Sequence, residues 1–253
     1  AQVQKLGKAV GYIDMEHAMD MGYANNLGVD TDKDSGKWVM SQPDNGEEAL
    51  EITRELLKAE EIGLIVIDSV TALVPKAVLL GEAGDSKMGL QARLMSQMLP
   101  TMTAPARKSG CIILFINQLR EKIGVVYGNP TTTTGGNALK FYASQRLEIA
   151  KIGQNKDGEE VLSNQTRVKV TKNKVAPPFM KTEFNVEFGT GVDIIKDLVD
   201  VGVNLGVLKR AGAWYSYGDT KLGNGMEKAK ETLADNPELV EEIKDKIFEE
   251  LEK

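Results

Sequence analysis

Two short apolar segments of the sequence end in carboxylates that could take part in chemistry on a phosphate. Residues 64–67 are four consecutive aliphatic residues followed by Asp68, and residues 8–13 are followed by Asp14. A carboxylate at the end of a buried strand can hold the water shell of a nucleotide-bound Mg²⁺. Glu16, two residues beyond Asp14, could polarise an attacking water. The alternatives are ordinary ones, because acids end many parallel strands and occupy many exposed loops.

Histidine and cysteine are too scarce to build other kinds of active site. His17 is the only histidine, so neither a histidine metal cluster nor a Ser-His-Asp triad can form within the chain. Cys111 is the only cysteine and opens an apolar run, which favours a small buried side chain over a nucleophile. One cysteine also cannot form an internal disulfide, so we expect a reducing compartment such as the cytoplasm.

The length, composition and charge are those of a globular domain with an uneven distribution of charge. The longest apolar runs, such as residues 111–116, are strand-sized, and no secretory signal is visible, so no membrane partner is expected. The net charge is −6, yet residues 107–174 hold 12 Lys and Arg against 5 Asp and Glu. Residues 227–253 hold 10 acidic against 5 basic residues. The basic middle is either a solvated surface or a contact for nucleic acid.

Strand-like and helix-like segments alternate over the first half of the chain. Strands are predicted at residues 8–13, 38–40, 64–68 and 111–116. Asp44 and Glu47 have capping-box spacing before a helix, and the Gly-rich residues 81–89 open another through Gln97 or beyond, where Pro100 and Pro105 leave its end open. This alternation predicts an α/β fold, with a mostly parallel sheet and helices on both faces. Ligands of such sheets bind at the carboxyl ends of the strands. One edge should therefore carry Asp14, Glu16, Asp68, Asn117 and Gln118.

The second half of the chain predicts antiparallel strands and then a smaller α+β domain. Residues 145–150, 167–171 and 183–188 have the pattern of hairpin strands, with a turn region at residues 153–158. From Val192 onward, helix-like stretches flank a Gly-rich aromatic piece. We therefore expect a core domain over residues 1–190, with an antiparallel extension, and a C-terminal domain over residues 191–253.

Several long motifs in fixed order identify a family. They are YIDMEHAMD at residues 12–20, VIDS at 66–69, GEAGDSKMG at 81–89, FINQLREKIG at 115–124, GNPTTTTGGNALKFYAS at 128–144, RVKVTKNKVAP at 167–177 and AGAWYSY at 211–217. In these segments the sequence resembles the RecA family of bacterial recombinases from its first residues to its last. The resemblance implies the RecA-type P-loop NTPase core fold.

The resemblance also implies roles for single residues in binding ATP and Mg²⁺. Glu16 matches the family's catalytic glutamate, which activates water, and Asp68 matches the Walker B aspartate, which holds Mg²⁺ through water. Asp20 and Tyr23 match residues that hold the adenine ring. Gln118 matches the glutamine that senses the γ-phosphate and begins the second DNA-binding loop.

A filament of many subunits is implied by a second set of matches. Lys172 and Lys174 match a pair that reaches the neighbouring subunit's nucleotide, where two cations would neutralise charge developing on the transferred phosphoryl group. The family coats single-stranded DNA as a helical filament, searches double-stranded DNA for homology and exchanges strands in DNA repair. It also stimulates a self-cleaving repressor in the SOS response.

The DNA-binding loops of the family correspond to residues 82–88 and 118–137. Backbone N–H groups and hydroxyls there suit phosphate contacts that fix position without reading sequence. The DNA-binding residues implied are Met88, Arg93, Arg120, Lys122, Ile123, Tyr127, Gly135, Gly136, Asn137 and Arg146. Without the resemblance, Ile123 would be assigned to a core and the threonine run to a linker. The C-terminal domain resembles a lobe that gathers duplex DNA, although residues 227–253 are acidic.

The sequence departs from the family in one motif. Complete members carry the phosphate loop G-x-x-x-x-G-K-[ST], but here Gly7-Lys8 precedes Ala9 and Gly36-Lys37 precedes Trp38. We expect a fragment, with a split gene or a degenerate copy as alternatives, and we expect no ATP hydrolysis by this chain alone. The rival functions are a catalytically inactive module that binds DNA or a partner, and a helicase with a related core.

Overall fold

The computed structural model describes residues 1–81, 89–121 and 131–252. Two compact units divide the chain. The first comprises Ala1–Arg146 and Lys172–Ala176, and the second comprises Leu147–Thr171 and Pro177–Lys253.

A four-stranded parallel sheet forms the centre of the first unit. Its strands are β1 (Ala9–Asp14), β2 (Trp38–Ser41), β3 (Ile62–Asp68) and β4 (Ile112–Phe115), in the order β2-β1-β3-β4. Every neighbouring pair is parallel, with β1 and β3 in the centre. The helices of this unit are α1 (Gln2–Lys5), α2 (Met21–Asn26), α3 (Gly46–Leu56), α4 (Lys76–Leu80), α5 (Leu90–Ser109) and α6 (Ala138–Tyr142). The predicted strand at each of these four positions is confirmed.

The core of the first unit lies between this sheet and helices α3 and α5. Ile13, Leu50, Ile65 and Met95 are fully buried in it. Cys111 is also buried, as its sequence position predicts. Because β1 and β3 are central, their apolar runs are covered by helices, and the carboxylates that follow them meet at one edge.

The start of α3 differs from the sequence prediction, and the structure shows where α5 ends, which the sequence left open. The side chain of Asn45, and not of Asp44, caps α3 by accepting a hydrogen bond from the backbone N–H of Glu48 at 3.0 Å. The cap is therefore shifted by one residue, and the carboxylate of Glu48 accepts a hydrogen bond from the backbone N–H of Asp44 at 3.2 Å rather than from that of the N-cap residue. Helix α5 continues through Pro100 and Pro105 to Ser109. Its inward face buries Leu94, Met95, Leu99 and Met102, which offsets the backbone hydrogen bonds that the two prolines remove.

The short strands β5 (Leu119–Glu121) and β6 (Thr131–Thr133) form an antiparallel pair, and four further strands form a separate antiparallel sheet. Its strands are β7 (Gln145–Asp157), β8 (Glu160–Asn173), β9 (Lys181–Glu187) and β10 (Gly191–Val192), in the order β10-β9-β8-β7. β9 pairs antiparallel with both β8 and β10. The prediction of a turn region at residues 153–158 is wrong for most of its length, because β7 runs to Asp157 and the turn is confined to Gly158 and Glu159.

The C-terminal lobe of the second unit has its own hydrophobic core. It contains α7 (Ile194–Asn204), the antiparallel sheet β11 (Lys209–Ala211), β12 (Trp214–Tyr217) and β13 (Thr220–Asn224), and then α8 (Met226–Ala234) and α9 (Pro237–Leu251). Val199, Leu222, Leu233 and Ile243 are fully buried there. An ion pair of Lys230 with Asp193, whose carboxylate caps α7, links α8 to the start of α7 at 2.7 Å.

In the part of the chain that the structure describes, no helix combines the length and apolar character needed to span a bilayer.

The central sheet predicts a clear contrast between two isoleucines in neighbouring strands. Ile65 is 0% exposed and Ile112 is 61% exposed. Ile65→Ala leaves a cavity in the core and should lower the free energy of unfolding by about 2–5 kcal/mol. Ile112→Ala is the matched control and should change it by less than about 1 kcal/mol. Urea unfolding of both variants measures the difference, and equal losses would contradict this core.

Candidate functional site

The carboxyl ends of β1, β3 and β4 meet at one edge of the parallel sheet. Asp14 and Asp68 are register partners at the ends of β1 and β3. Asn117 and Gln118 follow the end of β4, which lies on the other side of β3. The strand ends thus place acids and amides along one line, as the topology predicts.

The carboxylate of Asp14 is buried and organises the loop that follows it. Its Oδ1 accepts a hydrogen bond from the backbone N–H of Ala18 at 3.3 Å, and its Oδ2 accepts one from Met19 at 3.2 Å. The side-chain amide of Gln42 donates to Oδ2 at 2.9 Å. Desolvation by itself would raise the pKa of Asp14, but these hydrogen bonds outweigh it and the pKa is lowered. Asp14 therefore fixes the backbone that directly follows His17, which has a positive φ of 53°.

Glu16 lies within this loop and joins the ends of β3 and β4. Its Oε1 accepts a hydrogen bond from Ser69 Oγ at 2.5 Å, and Ser69 directly follows Asp68. The same oxygen accepts a longer hydrogen bond from Gln118 Nε2 at 3.4 Å. Glu16, the Asp68–Ser69 pair and Gln118 are thus brought together at one edge.

The aromatic side chain of Tyr12 orients the carboxylate of Asp68. The Tyr12 hydroxyl donates to Asp68 Oδ2 at 2.7 Å, and its ring stacks on Trp38 with centroids 5.6 Å apart. Burial raises the pKa of Tyr12, and the hydrogen bond to Asp68 raises it further. Among the described residues, Oδ1 of Asp68 has no hydrogen-bond partner. This oxygen fits the role of an acceptor for a water molecule of Mg²⁺.

Asp20 and Tyr23 lie at the start of α2. Asp20 is its N-cap residue and accepts a hydrogen bond from the backbone N–H of Tyr23 at 2.9 Å. Tyr23 as a whole is 39% exposed, which leaves part of its surface open for stacking. In the folded chain Asp20 therefore caps a short helix.

Beyond Gln118 the chain forms a two-stranded antiparallel ribbon. β5 (Leu119–Glu121) pairs with β6 (Thr131–Thr133), so residues 119–121 and 131–133 of the second predicted DNA-binding loop lie side by side. Arg120 is exposed and donates to Gln118 Oε1 at 2.5 Å. Thr134 Oγ1 donates to Asn117 Oδ1 at 2.7 Å, and Asn117 Nδ2 donates back to the carbonyl of Thr134 at 3.1 Å. The ribbon is therefore anchored to the end of β4.

The other residues predicted to bind DNA are placed as follows. Gly135 and Gly136 follow the ribbon with φ of 78° and 75°, and Asn137 is exposed just before α6. Arg93 is exposed in the first turn of α5, and Arg146 is exposed near the start of β7. The segment of residues 82–88 and four predicted contacts lie outside the described residues: Met88, Lys122, Ile123 and Tyr127.

Lys172 and Lys174 lie at the end of β8 and contact the C-terminal end of α6. Lys172 Nζ donates to the carbonyls of Lys140 and Phe141, each at 2.8 Å. Lys174 Nζ donates to the carbonyl of Phe141 at 3.4 Å. Desolvation lowers the pKa of Lys172, as do the charges of Lys174 and Arg146. Over the described ranges, no hydrogen bond or ion pair joins this lysine pair to Glu16 or Asp68.

Three residues of this site were not singled out from the sequence, and one of them is Gln42, which donates to Asp14. Ser69 contacts Glu16, and Tyr12 contacts Asp68. The adjacency of Ser69 to the strand-terminal acid could have suggested it, but alternation along β1 gives no sign that the hydroxyl of Tyr12 reaches across to β3. The described residues contain no group of three His, Cys, Asp or Glu side chains placed to hold a metal ion.

The hydrogen bonds of Asp14 predict a pH-dependent contribution to stability. Because its pKa is lowered in the folded chain, the contribution is present above the unfolded pKa of about 3.9 and is lost as the pH falls through the folded value. Asp14→Asn should cost roughly 1–3 kcal/mol at pH 7 and much less at pH 3. Urea unfolding at both pH values measures this, with the exposed Asp34→Asn as control. A cost that does not change with pH would contradict the assignment.

Comparisons with known proteins agree with this architecture. The family model of the RecA N-terminal domain matches residues 1–193, and that of the RecA C-terminal domain matches residues 196–252. Protein RecA of Bacteroides thetaiotaomicron is 56% identical over 253 residues, which are 100% of this chain and 76% of that protein. Protein RecA of Porphyromonas gingivalis is 56% identical over 249 residues, which are 98% of this chain and 72% of that protein.

A solved structure extends the similarity of fold to a distant protein. The RadB recombinase superposes with a TM-score of 0.53 at 17% identity, over 75% of this chain and 80% of that one. At this identity the likeness concerns the fold alone. The two family models together account for nearly the whole sequence, and the chain belongs to the RecA family of recombinases.

Proposed function

We propose that this protein binds single-stranded DNA as a helical filament and uses ATP to search duplex DNA for homology and to exchange strands in DNA repair. The observation that carries the proposal is the hydrogen bond between Glu16 and Gln118. It joins the edge of the sheet that carries Asp14, Glu16 and Asp68, here called the carboxylate edge, to the residue that precedes the β5–β6 ribbon. A nucleotide at that edge and DNA at the ribbon would therefore act on the same side chain.

The carboxylate edge is the proposed site of ATP. Glu16 is the general base for the attacking water, and its contact with Ser69 holds it beside Asp68. Asp68 holds Mg²⁺ through water, with Tyr12 fixing its other oxygen. The bound Mg²⁺ would neutralise phosphate charge. Asp20 and Tyr23 hold adenine, and the exposed part of Tyr23 supports stacking.

Hydrolysis in this proposal requires a second subunit. Lys172 and Lys174 form no hydrogen bond or ion pair with Glu16 or Asp68 in the described part of the chain, which supports their action on the nucleotide of a neighbour. Their ammonium groups lie at the end of α6, held by carbonyls, and a transferred phosphoryl group would attract both. Self-association into a filament would bring the two parts of the site together.

DNA contacts are proposed along the ribbon and its surroundings. Exposed Arg93, Arg120 and Arg146 would neutralise phosphates, and Gln118 would reposition the ribbon. Gly135, Gly136 and Asn137 offer backbone groups close to that surface. Four further contacts belong to the proposal on the resemblance alone: Met88, Lys122, Ile123 and Tyr127.

The wider biology follows from the family. We assign residues 1–190 to the ATPase core and residues 191–253 to a domain that gathers duplex DNA. A filament of this protein in the cytoplasm would also stimulate a self-cleaving repressor in the SOS response. These assignments rest on membership of the RecA family.

A second function is favoured by one feature of the sequence. The 253 residues contain no G-x-x-x-x-G-K-[ST] motif, so the backbone cradle for the phosphates is not among them. The alternative is a catalytically inactive protein that binds DNA or a full-length partner. An in-frame phosphate loop in the genomic DNA upstream of Ala1 would support the enzyme, and a stop codon would support the alternative.

The exposed guanidinium of Arg120 predicts a measurable effect on DNA binding. Arg120→Ala should weaken binding of a fluorescein-labelled oligo(dT) and lower the slope of log affinity against log salt by about 0.7. Fluorescence anisotropy over a salt series measures both quantities.

The matched control for that experiment is Arg107→Ala. Arg107 is exposed on α5, far along the helix from Gly89, and belongs to no proposed contact. It should leave the salt slope unchanged. An unaltered slope in Arg120→Ala, or an equal change in both variants, would refute the placement of DNA on the ribbon.

ATP turnover separates the two proposed functions. With ATP, Mg²⁺ and oligo(dT), the 253 residues alone should release no phosphate above the blank. Joined to a phosphate-loop segment encoded directly upstream, the chain should gain DNA-stimulated turnover, and Glu16→Gln should then reduce it by roughly 10²–10⁴-fold. The exposed Glu238→Gln on α9 is the control. DNA-stimulated turnover by the 253 residues alone would contradict the need for the loop.

A further inference from the structure

The side-chain amide of Gln91 ties together segments that are distant in the sequence. Gln91 lies in the first turn of α5 and is half-buried. Its Nε2 donates to the carbonyl of Val70 at 2.7 Å and to that of Leu73 at 3.1 Å. Its Oε1 accepts a hydrogen bond from the backbone N–H of Gly135 at 3.1 Å. One side-chain amide therefore forms hydrogen bonds with the backbone of two separate segments, residues 70–73 and Gly135.

The segment whose carbonyls accept hydrogen bonds from Gln91 directly follows the end of β3. A short 3₁₀ turn, Val70–Ala72, directly follows Asp68 and Ser69. Val70 is fully buried, and its N–H donates to the carbonyl of Ile116 at 2.8 Å. The carbonyls that Gln91 holds thus belong to a turn fixed between the ends of β3 and β4.

The segment that donates a hydrogen bond to Gln91 directly follows strand β6 of the ribbon. Gly135 is buried, and a Cβ there would lie 2.9 Å from Val70 Cγ1. A Cβ on Gly136 would lie 2.6 Å from the Cβ of Ala92. Only glycine allows this approach, so the backbone of the ribbon packs directly on the turn and on the first residues of α5.

Few side chains can serve both segments at once. A glutamine amide offers two donor hydrogens and one acceptor oxygen. Glutamate would accept from Gly135 but could not donate to the two carbonyls, and lysine would donate but could not accept. A shift of Gly135 therefore either breaks a hydrogen bond or moves the amide and, with it, the turn.

We propose that Gln91 is a positioning residue that couples the ribbon end at Gly135 to the Val70–Leu73 turn, and so transmits DNA binding to the Asp68–Ser69 end of β3. The proposal rests on the function proposed above for the ribbon. A second link to the turn exists, since the hydroxyls of Thr71 and Thr134 lie 3.1 Å apart. The hydrogen bonds of Glu16 with Gln118 and Ser69 form another path from the ribbon, but this path ends on the side chain of Ser69 and holds no carbonyl of the turn. The test must therefore separate the two links.

Hydrogen exchange of backbone amides provides the measurement. In the parent chain, oligo(dT) should slow exchange in peptides covering residues 131–137 and also in those covering residues 69–73. In Gln91→Met, oligo(dT) should still slow exchange at residues 131–137 but should no longer slow it at residues 69–73. Without DNA, exchange at Gly135 should be roughly five- to tenfold faster in this variant, because one hydrogen bond is missing.

Further variants distinguish coupling from a loss of general stability. Gln91→Lys keeps the donors and should leave residues 69–73 slow without DNA, whereas Gln91→Glu keeps the acceptor and should leave Gly135 slow. Neither should transmit the effect of DNA. Thr71→Val removes the second link, and in this variant oligo(dT) should still slow exchange at residues 69–73. The exposed Gln97→Met on α5 is the control and should behave as the parent chain does.

The outcomes separate this inference from the proposed function. Oligo(dT)-dependent slowing at residues 69–73 that persists in Gln91→Met, or that disappears in Thr71→Val alone, would refute the role of Gln91 while leaving DNA binding intact. Slowing confined to residues 131–137 in the parent chain would refute it as well. No effect of oligo(dT) anywhere in the parent chain would count against the proposed function and the coupling together.

Discussion

The desolvated carboxylate of Asp14 is the constraint on which the arrangement of the site depends. A charge that is 1% exposed is tolerated only when donors surround it, and two of its three donors are backbone N–H groups of the loop it precedes. Satisfying Asp14 therefore fixes the path of that loop. Glu16 lies on this path, and its carboxylate consequently meets Ser69 at the end of the neighbouring strand. The position of the proposed general base is thus a result of burying another acid.

Amide side chains connect the same edge of the sheet to the β5–β6 ribbon. Gln118 and Asn117 follow β4, and one contacts Glu16 while the other contacts Thr134. Gln91 approaches from α5 and contacts Gly135. Amides suit these positions because each both donates and accepts without a charge to desolvate. Asn117 and Gln91 thus hold the base of the ribbon by neutral hydrogen bonds of modest net strength, which can break when a ligand competes for them.

Local pattern predicted much of the fold, and tertiary packing decided the rest. The strands ending at Asp14 and Asp68 were predicted because central parallel strands are continuous apolar runs. The cap of α3 moved from Asp44 to Asn45, since both residues have capping side chains and only the packed chain selects one. Helix α5 passes through two prolines because its buried face outweighs their local cost. β7 extends to Asp157 because pairing in the sheet overrides the turn preference of its glycine.

The sequence by itself determined the family, the four strands of the parallel sheet and their order along the chain, and the alignment of Asp14, Asp68 and Gln118 at one edge. These depend on local periodicity, on fixed motifs and on the rule that parallel strands end on the same side. Tertiary structure decided which side chains touch. The contact of Tyr12 with Asp68 joins residues 56 positions apart, and that of Gln91 with Gly135 joins residues 44 apart. Such contacts depend on strand register and on close backbone packing, which no local pattern of residues encodes.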